Sequence, residues 1–476
     1  MPKILMAASE AMPFVKTGGL ADVMGALPAE LVRAGEEVAV VLPWYRDAKL
    51  ASAPREAFRD LRITVGPTSF LVDIFETVEL GVRCFLVSCP PLFDRAGLYG
   101  AAGSDFPDNH IRFAVYCRAV LGVMRHLFRP RILHCHDWQA ALAPLFMRYT
   151  FAGDPTFFGV RVLFTIHNIG FQGIFPASAL YDLGIPTALF LPNLLEFYGN
   201  LNLLMGGMYF SDWISTVSPT YAVEIQGDLG FGLQNFLRAR SDRVSGILNG
   251  IDYDTWSPEK DRLIARNYSE TDLSGKSACR QALLDRFRLR DRPGAPVVGV
   301  VSRLTDQKGF DLVAQIAAEM MREDLFLVVL GSGDASYEQM FRDIASAHPE
   351  KAAVHIGYDE ALSHMIEAGA DMFLMPSRYE PCGLNQMYSL HYGTPPIVRA
   401  TGGLEDSVVS APPQEATGFK FRDYSGAALL AAVRDAVGAF GDRPRWREMM
   451  RRGMRRDFSW AASAGEYAAL YRKLLM

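Results

Sequence analysis

Short apolar runs, each closed by Gly, Pro or Asn, alternate along this chain with longer stretches in which apolar positions recur at helical spacing. That alternation predicts parallel α/β units, whose strands are buried on both faces and read as continuous apolar segments. In the first half, KILMAA (3–8), EVAVVLP (37–43), RCFLVS (83–88), ILHCHD (132–137), VLFTIHN (162–168) and WISTVS (213–218) have this form. In the second half, VVGVVSR (297–303), LFLVVLG (325–331), AVHIGY (353–358), MFLMPS (372–377) and PPIVRA (395–400) repeat it. Between about 245 and 295 the polar segments NGIDYDTWSPEKD and NYSETDLSGKS interrupt the alternation and mark a boundary. A last helix is expected over roughly 456–476.

Length agrees with two domains: 476 residues exceed the ~250–300 that one hydrophobic core organises. The net charge of −5 offers no basic excess to offset phosphate repulsion, so no nucleic-acid partner is expected. The local cluster RPRWREMMRRGMRRDF near the chain end reads as a solvated helix face. No uninterrupted apolar stretch reaches membrane-spanning length, and MPKILMAASEAMPF reads as a strand rather than a leader. The six cysteines show no C-x-x-C pair, which points to free thiols in a reducing, cytoplasmic setting.

In open parallel sheets, ligands bind at the carboxyl ends of strands, and the polar clusters of this chain fall there. KTGGLADV follows the first strand: Gly18 and Gly19 permit close approach to a phosphate, the helix start offers N–H groups, and Lys16 adds a full charge. Arg is far commoner than Lys here (39 to 9), so lysines inside motifs at Lys16 and Lys308 suggest sites wanting a compact ammonium. VSRLTDQKG places Arg303 and Lys308 just past another strand, a cation pair suited to a diphosphate, or else an ordinary surface loop. PSRYEPCGLNQ sets Glu380 after a strand and Cys382, Gly383 and Leu384 at a helix start. Glu380 could accept sugar hydroxyls or stabilise developing positive charge, and Cys382 is a weaker candidate nucleophile with no His close in sequence. HCHDW (His134, His136, Asp137) could be part of a metal site or a structural strand end, and His167 with Asn168 in TIHN could line a cleft or the core. TGGL recurs at 401–404 in RATGGLEDSV, preceded by Ala400 rather than lysine. We read Thr401 to Leu404 as shaping a wall while Lys16, Gly18 and Gly19 meet the phosphates.

Taken in order, KTGGLADV, HCHDWQ, TIHNIGFQG, LNGID, VSRLTDQKG, PSRYEPCGLNQMYSLHYGT and RATGGLEDSV resemble the bacterial and plastid glycogen and starch synthases, from residue 3 to about 460. The resemblance implies an α/β GT-B fold: two Rossmann-like domains (1–245 and 246–455) facing across a deep cleft, with a C-terminal helix (456–476) crossing back. It implies retaining transfer of glucose from ADP-glucose to the non-reducing end of an α-1,4-glucan such as glycogen, with neither metal nor cofactor. By motif, Lys16, Gly18, Gly19, Arg303 and Lys308 would meet the diphosphate. His167, Asn168, Asn249 and Glu380 would surround the glucose, with Cys382 and Gly383 at its edge. Asp137 would sit beside the reacting centre, Tyr99 and Trp138 on the acceptor side, and Gly357 and Tyr358 at the adenosine. The wider retaining GT-B pattern has a second glutamate eight positions after the first; here that position is Tyr388, which leaves Glu380 unaided. Two other readings remain: a glucan phosphorylase-like enzyme with pyridoxal phosphate on Lys308, and a non-catalytic protein that binds sugar nucleotide or glucan.

Overall fold

The computed structural model of the chain describes residues 2–101 and 103–476. It divides into two compact units. The first gathers the chain up to Val217, Ala222–Gly250 and Trp460–Met476; the second holds Ser218–Tyr221 and Ile251–Ser459.

The first unit is built on a nine-stranded sheet. Seven strands run parallel, in the spatial order Val244–Gly246, Trp213–Thr216, Arg161–Ile166, Ile132–His136, Lys3–Ala7, Glu37–Pro43 and Val82–Ser88. Six of them are the apolar runs read from the sequence, and in Glu37–Pro43 every residue after the first is buried. Thr68–Glu79 and Arg55–Val65 then extend the edge as an antiparallel hairpin. The sequence reading missed this pair because its strands are half exposed and carry charges at Arg55, Glu56, Arg59, Asp60 and Arg62. A three-stranded sheet of Ile174–Pro176, Asn200–Asn202 and Glu196–Phe197 was also not expected.

Helix Trp460–Leu475 belongs to this first unit. Its Trp460, Ala464, Tyr467, Tyr471 and Leu474 recur at helical spacing and share one buried cluster with Leu20, Val23, Leu27 and Leu31 of helix Gly19–Arg33. Each large apolar side chain so buried contributes about 1.5–3 kcal/mol.

The second unit carries six parallel strands, in the order Ala352–Ile356, Phe326–Gly333, Val297–Leu304, Met372–Met375, Pro396–Arg399 and Phe419–Phe421. In each unit the earliest strand of the parallel run lies inside the sheet, so the chain order reverses beside it. Such a switch point opens a crevice at the strand ends. In the first unit, residues 8–18 and Asp137 follow the flanking strands Lys3–Ala7 and Ile132–His136. In the second, residues 305–309 and 376–384 follow Val297–Leu304 and Met372–Met375.

Candidate functional site

In the first unit the N–H groups of Thr17 and Gly18 are already engaged. The Glu10 carboxylate accepts from the N–H and hydroxyl of Thr17 and, at 3.3 Å, from the Gly18 N–H. The Tyr99 hydroxyl donates to the same carboxylate at 3.0 Å and shares a 2.7 Å hydrogen bond with Ser9. The Glu10 carboxylate thus engages the two N–H groups just ahead of helix Gly19–Arg33. Lys16 Nζ lies 2.6 Å from Asp22 Oδ1. An exposed pair of this kind contributes only about 0.2–1 kcal/mol, so a diphosphate can displace it. Room is what the first glycine pair supplies: a Cβ on Gly18 or Gly19 would meet nothing within 4 Å.

The second glycine pair is different. A Cβ on Gly402 would lie 1.9 Å from the Glu380 carbonyl oxygen, and one on Gly403 2.0 Å from that of Cys382. The Gly403 N–H also donates to the Glu380 carbonyl at 3.1 Å. Buried Thr401 and the glycines after it therefore press backbone against the Glu380 loop.

At the end of Ile132–His136, Asp137 adopts φ +55°, ψ −179°, a conformation side chains rarely take and one that stores about 1–3 kcal/mol. The strain is held by two bonds: its N–H donates to the Thr165 carbonyl at 3.0 Å, and its carboxylate accepts the His167 N–H at 2.7 Å. Part of the side chain stays accessible to solvent, yet the surrounding protein dominates. Burial pushes its carboxyl up to about 7, against the lowering effect of the His167 and Asn168 N–H groups and with some help from the Glu10 charge.

The folded form therefore holds this proton more tightly than the unfolded chain does. The stabilisation is complete below about pH 4 and is lost as pH rises through about 7. Asp137→Asn removes the titration while keeping a residue that tolerates positive φ. The variant's Tm minus that of the natural chain is expected to grow between pH 4 and 7 and level off above, as read by thermal denaturation; a pH-independent difference would exclude this burial effect.

His136 Nδ1 and His167 Nε2 share a 2.9 Å hydrogen bond, and burial pushes both imidazoles toward the neutral form, His167 down to about 3. His134 is structural: its ring nitrogens meet Tyr471 Oη at 2.8 Å and Thr165 Oγ1 at 2.6 Å. The Asn168 side chain accepts the Gly170 N–H at 2.9 Å. Asn249 is buried, and among the described residues its Oδ1 makes no hydrogen bond, nor does His136 Nε2. Orphaned buried polar atoms are costly and suit groups that a ligand completes. The Trp138 ring packs edge-on against Phe113 and Phe175, with Gly173 pressed on its face.

In the second unit, Lys308 Nζ donates to Glu380 Oε2 at 2.6 Å, and Ser377 Oγ donates to the same oxygen at 3.0 Å. Glu380 is 5% exposed. Their two loops interlock: the Arg378 N–H donates to the Gln307 carbonyl at 2.8 Å, and Gly309, at φ +73°, leaves no room for a Cβ beneath Pro376. Two donors thus hold Glu380, while no second glutamate stands at position 388. Tyr388 instead stacks on Trp256 (4.1 Å, 11°), which also stacks on His364 and meets Tyr392 edge-on. Arg303 is exposed and makes no ion pair among the described residues. Cys382 is buried, and Gly383 (φ +70°) and Leu384 lead into helix Asn385–His391. Gly357 (φ +141°) ends the strand Ala352–Ile356, leaving Tyr358 88% exposed.

The sequence reading missed Glu10 and Ser377. The one signal for Glu10 was a carboxylate at a buried strand's end, seven residues before Thr17.

The chain is similar to known proteins over nearly its whole length. Residues 3–239 match the family described as starch synthase catalytic domain, and residues 283–451 match glycosyl transferases group 1. The chain is 48% identical to a glycogen synthase of Koribacter versatilis, over 99% of this chain and 98% of that one. It is 47% identical to one from Anaeromyxobacter dehalogenans, over 99% of each. The catalytic domain of Starch Synthase IV from Arabidopsis thaliana, solved with ADP and acarbose, superposes with a TM-score of 0.90 at 31% identity, covering 100% of this chain and 99% of that one.

Proposed function

The chain belongs to the starch and glycogen synthase family of GT-B glycosyltransferases, and from that premise we propose how its own residues move glucose from ADP-glucose to the non-reducing end of an α-1,4-glucan. It is a glucosyltransferase of glycogen synthesis, using a sugar nucleotide and a glucan. The observation that carries the assignment is the second unit's switch point, where Arg303 is the last residue but one of strand Val297–Leu304, and Lys308 and Glu380 follow that strand and its neighbour Met372–Met375.

In this reading Arg303 and Lys308 neutralise the leaving diphosphate and Lys16 adds a third positive charge. As the anomeric C–O bond to phosphate breaks, the acceptor O4 bonds to the same carbon from the same face, and its proton passes to the departing diphosphate. Glu380 stabilises the positive charge on the sugar. Fixed charges in a water-poor site are commonly the largest catalytic contribution. His167, Asn168 and the orphaned Asn249 Oδ1 take sugar hydroxyls, while Cys382 and Gly383 border the glucose. Asp137 sits beside the reacting centre, and Tyr99 and Trp138 serve the acceptor side. Gly357 lets the exposed Tyr358 ring meet the adenosine. No metal or prosthetic group takes part, and the enzyme works in the cytoplasm.

The phosphorylase-like alternative is not favoured, since the relatives matched are synthases. Labelled ADP-glucose and glycogen test the stereochemistry. The label should be released by an exo-hydrolase specific for α-1,4 links; resistant label would rule out retention.

A further inference from the structure

Four residues from the first half of the chain, Ser218–Tyr221, are folded into the second unit. Ser218 is wholly buried and stands just ahead of helix Pro219–Glu224. Its hydroxyl donates to the Pro381 carbonyl at 2.6 Å and accepts the Tyr221 N–H at 3.2 Å, the bond a serine makes at a helix start. Thr220 meets one carboxylate at two points: its N–H donates to Asp406 Oδ2 at 2.9 Å and its hydroxyl to Oδ1 at 2.7 Å. Pro381 directly follows Glu380, and Asp406 belongs to helix Gly402–Ser407, whose glycines press on the same loop.

Three consecutive carbonyls of that loop are engaged, each from a different segment. That of Glu380 accepts the Gly403 N–H at 3.1 Å, that of Pro381 the Ser218 hydroxyl, and that of Cys382 the Gln386 amide at 3.1 Å. With a donor on each, the peptide planes around Pro381 cannot turn without breaking a buried hydrogen bond. The Glu380 side chain is held differently, because Lys308 and Ser377 converge on the single oxygen Oε2. Two donors on one oxygen still let a carboxylate pivot, so the backbone beneath it decides where the group points.

We propose that Ser218 is a positioning residue for glucosyl transfer: its hydroxyl, seated by the clasp of Thr220 on Asp406, sets the backbone that aims Glu380. This rests on the reading of Glu380 as the group that stabilises positive charge on the sugar. Stabilisation that exists chiefly in the transition state is sensitive to placement, and a shift of about 1 Å can cost 10²-fold. Removing one of three carbonyl donors is a smaller disturbance of the same kind. It should slow the chemical step and leave the binding of ADP-glucose nearly untouched, since the cations that meet the diphosphate lie on other segments.

Steady-state kinetics on a double-mutant cycle test this. Ser218→Ala is expected to lower kcat about tenfold while the KM for ADP-glucose stays within about twofold. In the Glu380→Gln background the same change should cost less than about twofold, because the charge to be aimed is gone. Should Ser218→Ala fail to fold, Thr220→Val carries the same cycle, and Thr220→Ser, which keeps the hydroxyl, should restore kcat. Near-normal kcat in the folded variant, or an equal loss in both backgrounds, would overturn the proposal; the second result would make the clasp a support for the fold alone. Glu380→Gln by itself separates the two readings. Near-normal kcat there sinks the reading of Glu380, whereas a large loss there with normal kcat in the Ser218 and Thr220 variants sinks only the positioning role.

Discussion

Glu380→Gln is expected to lower kcat by about 10²-fold or more while changing donor affinity little. The side chain is nearly inaccessible, and two donors, Lys308 Nζ and Ser377 Oγ, converge on one of its oxygens. Glutamine preserves the size and can still accept from Ser377, so the loop should remain folded. It removes the negative charge that would stabilise an oxocarbenium-like centre, a stabilisation present chiefly in the transition state. Lys308 stays to meet the diphosphate, which is why affinity should hold. Lys308 and Glu380 share one interaction, so Lys308→Ala combined with Glu380→Gln should cost much less than the sum of the separate losses. Steady-state kinetics decide it. A Glu380→Gln enzyme with near-normal kcat would make the residue a structural strand-end carboxylate.

Lys16→Ala should lower kcat/KM by about 2–4 kcal/mol, the size of losing one charged transition-state donor. Lys16→Arg should recover only part, since a wide planar fork does not replace a point charge. The two TGGL segments explain why Ala400→Lys should not rescue Lys16→Ala. Space surrounds Gly18 and Gly19, whereas Gly402 and Gly403 are packed against the backbone of residues 380–382. Gly19→Ala is accordingly expected to spare Tm but impair activity, and Gly403→Ala to destabilise the second unit by about 2–4 kcal/mol. Full activity in Lys16→Ala, or rescue by Ala400→Lys, would contradict this division between the loops.

Much of this was legible in the sequence because strands buried on both faces leave an unmistakable apolar run, and the loops that follow them must carry the polar groups. EVAVVLP and VVGVVSR located core strands in this way, and HCHDW, VSRLTDQKG and PSRYEPCGL located strand ends. What escaped lacked that signature. The hairpin formed by Arg55–Val65 and Thr68–Glu79 has one wet face, so charges break its pattern. Glu10 and Thr17 meet only because the loop folds back on itself, and Lys308 finds Glu380 across 72 residues through the interlocking of two loops. Spacing along a chain encodes neither contact. Strain at Asp137 is likewise invisible until the backbone is traced.

The central claim, glucosyl transfer from ADP-glucose, is tested most directly by parallel elongation assays with ADP-glucose and UDP-glucose on glycogen. Glucose should be incorporated from ADP-glucose, faster than from UDP-glucose, and incorporation should drop about 10²-fold or more in Glu380→Gln. Incorporation from neither donor, or release of glucose 1-phosphate from glycogen as the sole activity, would contradict the account.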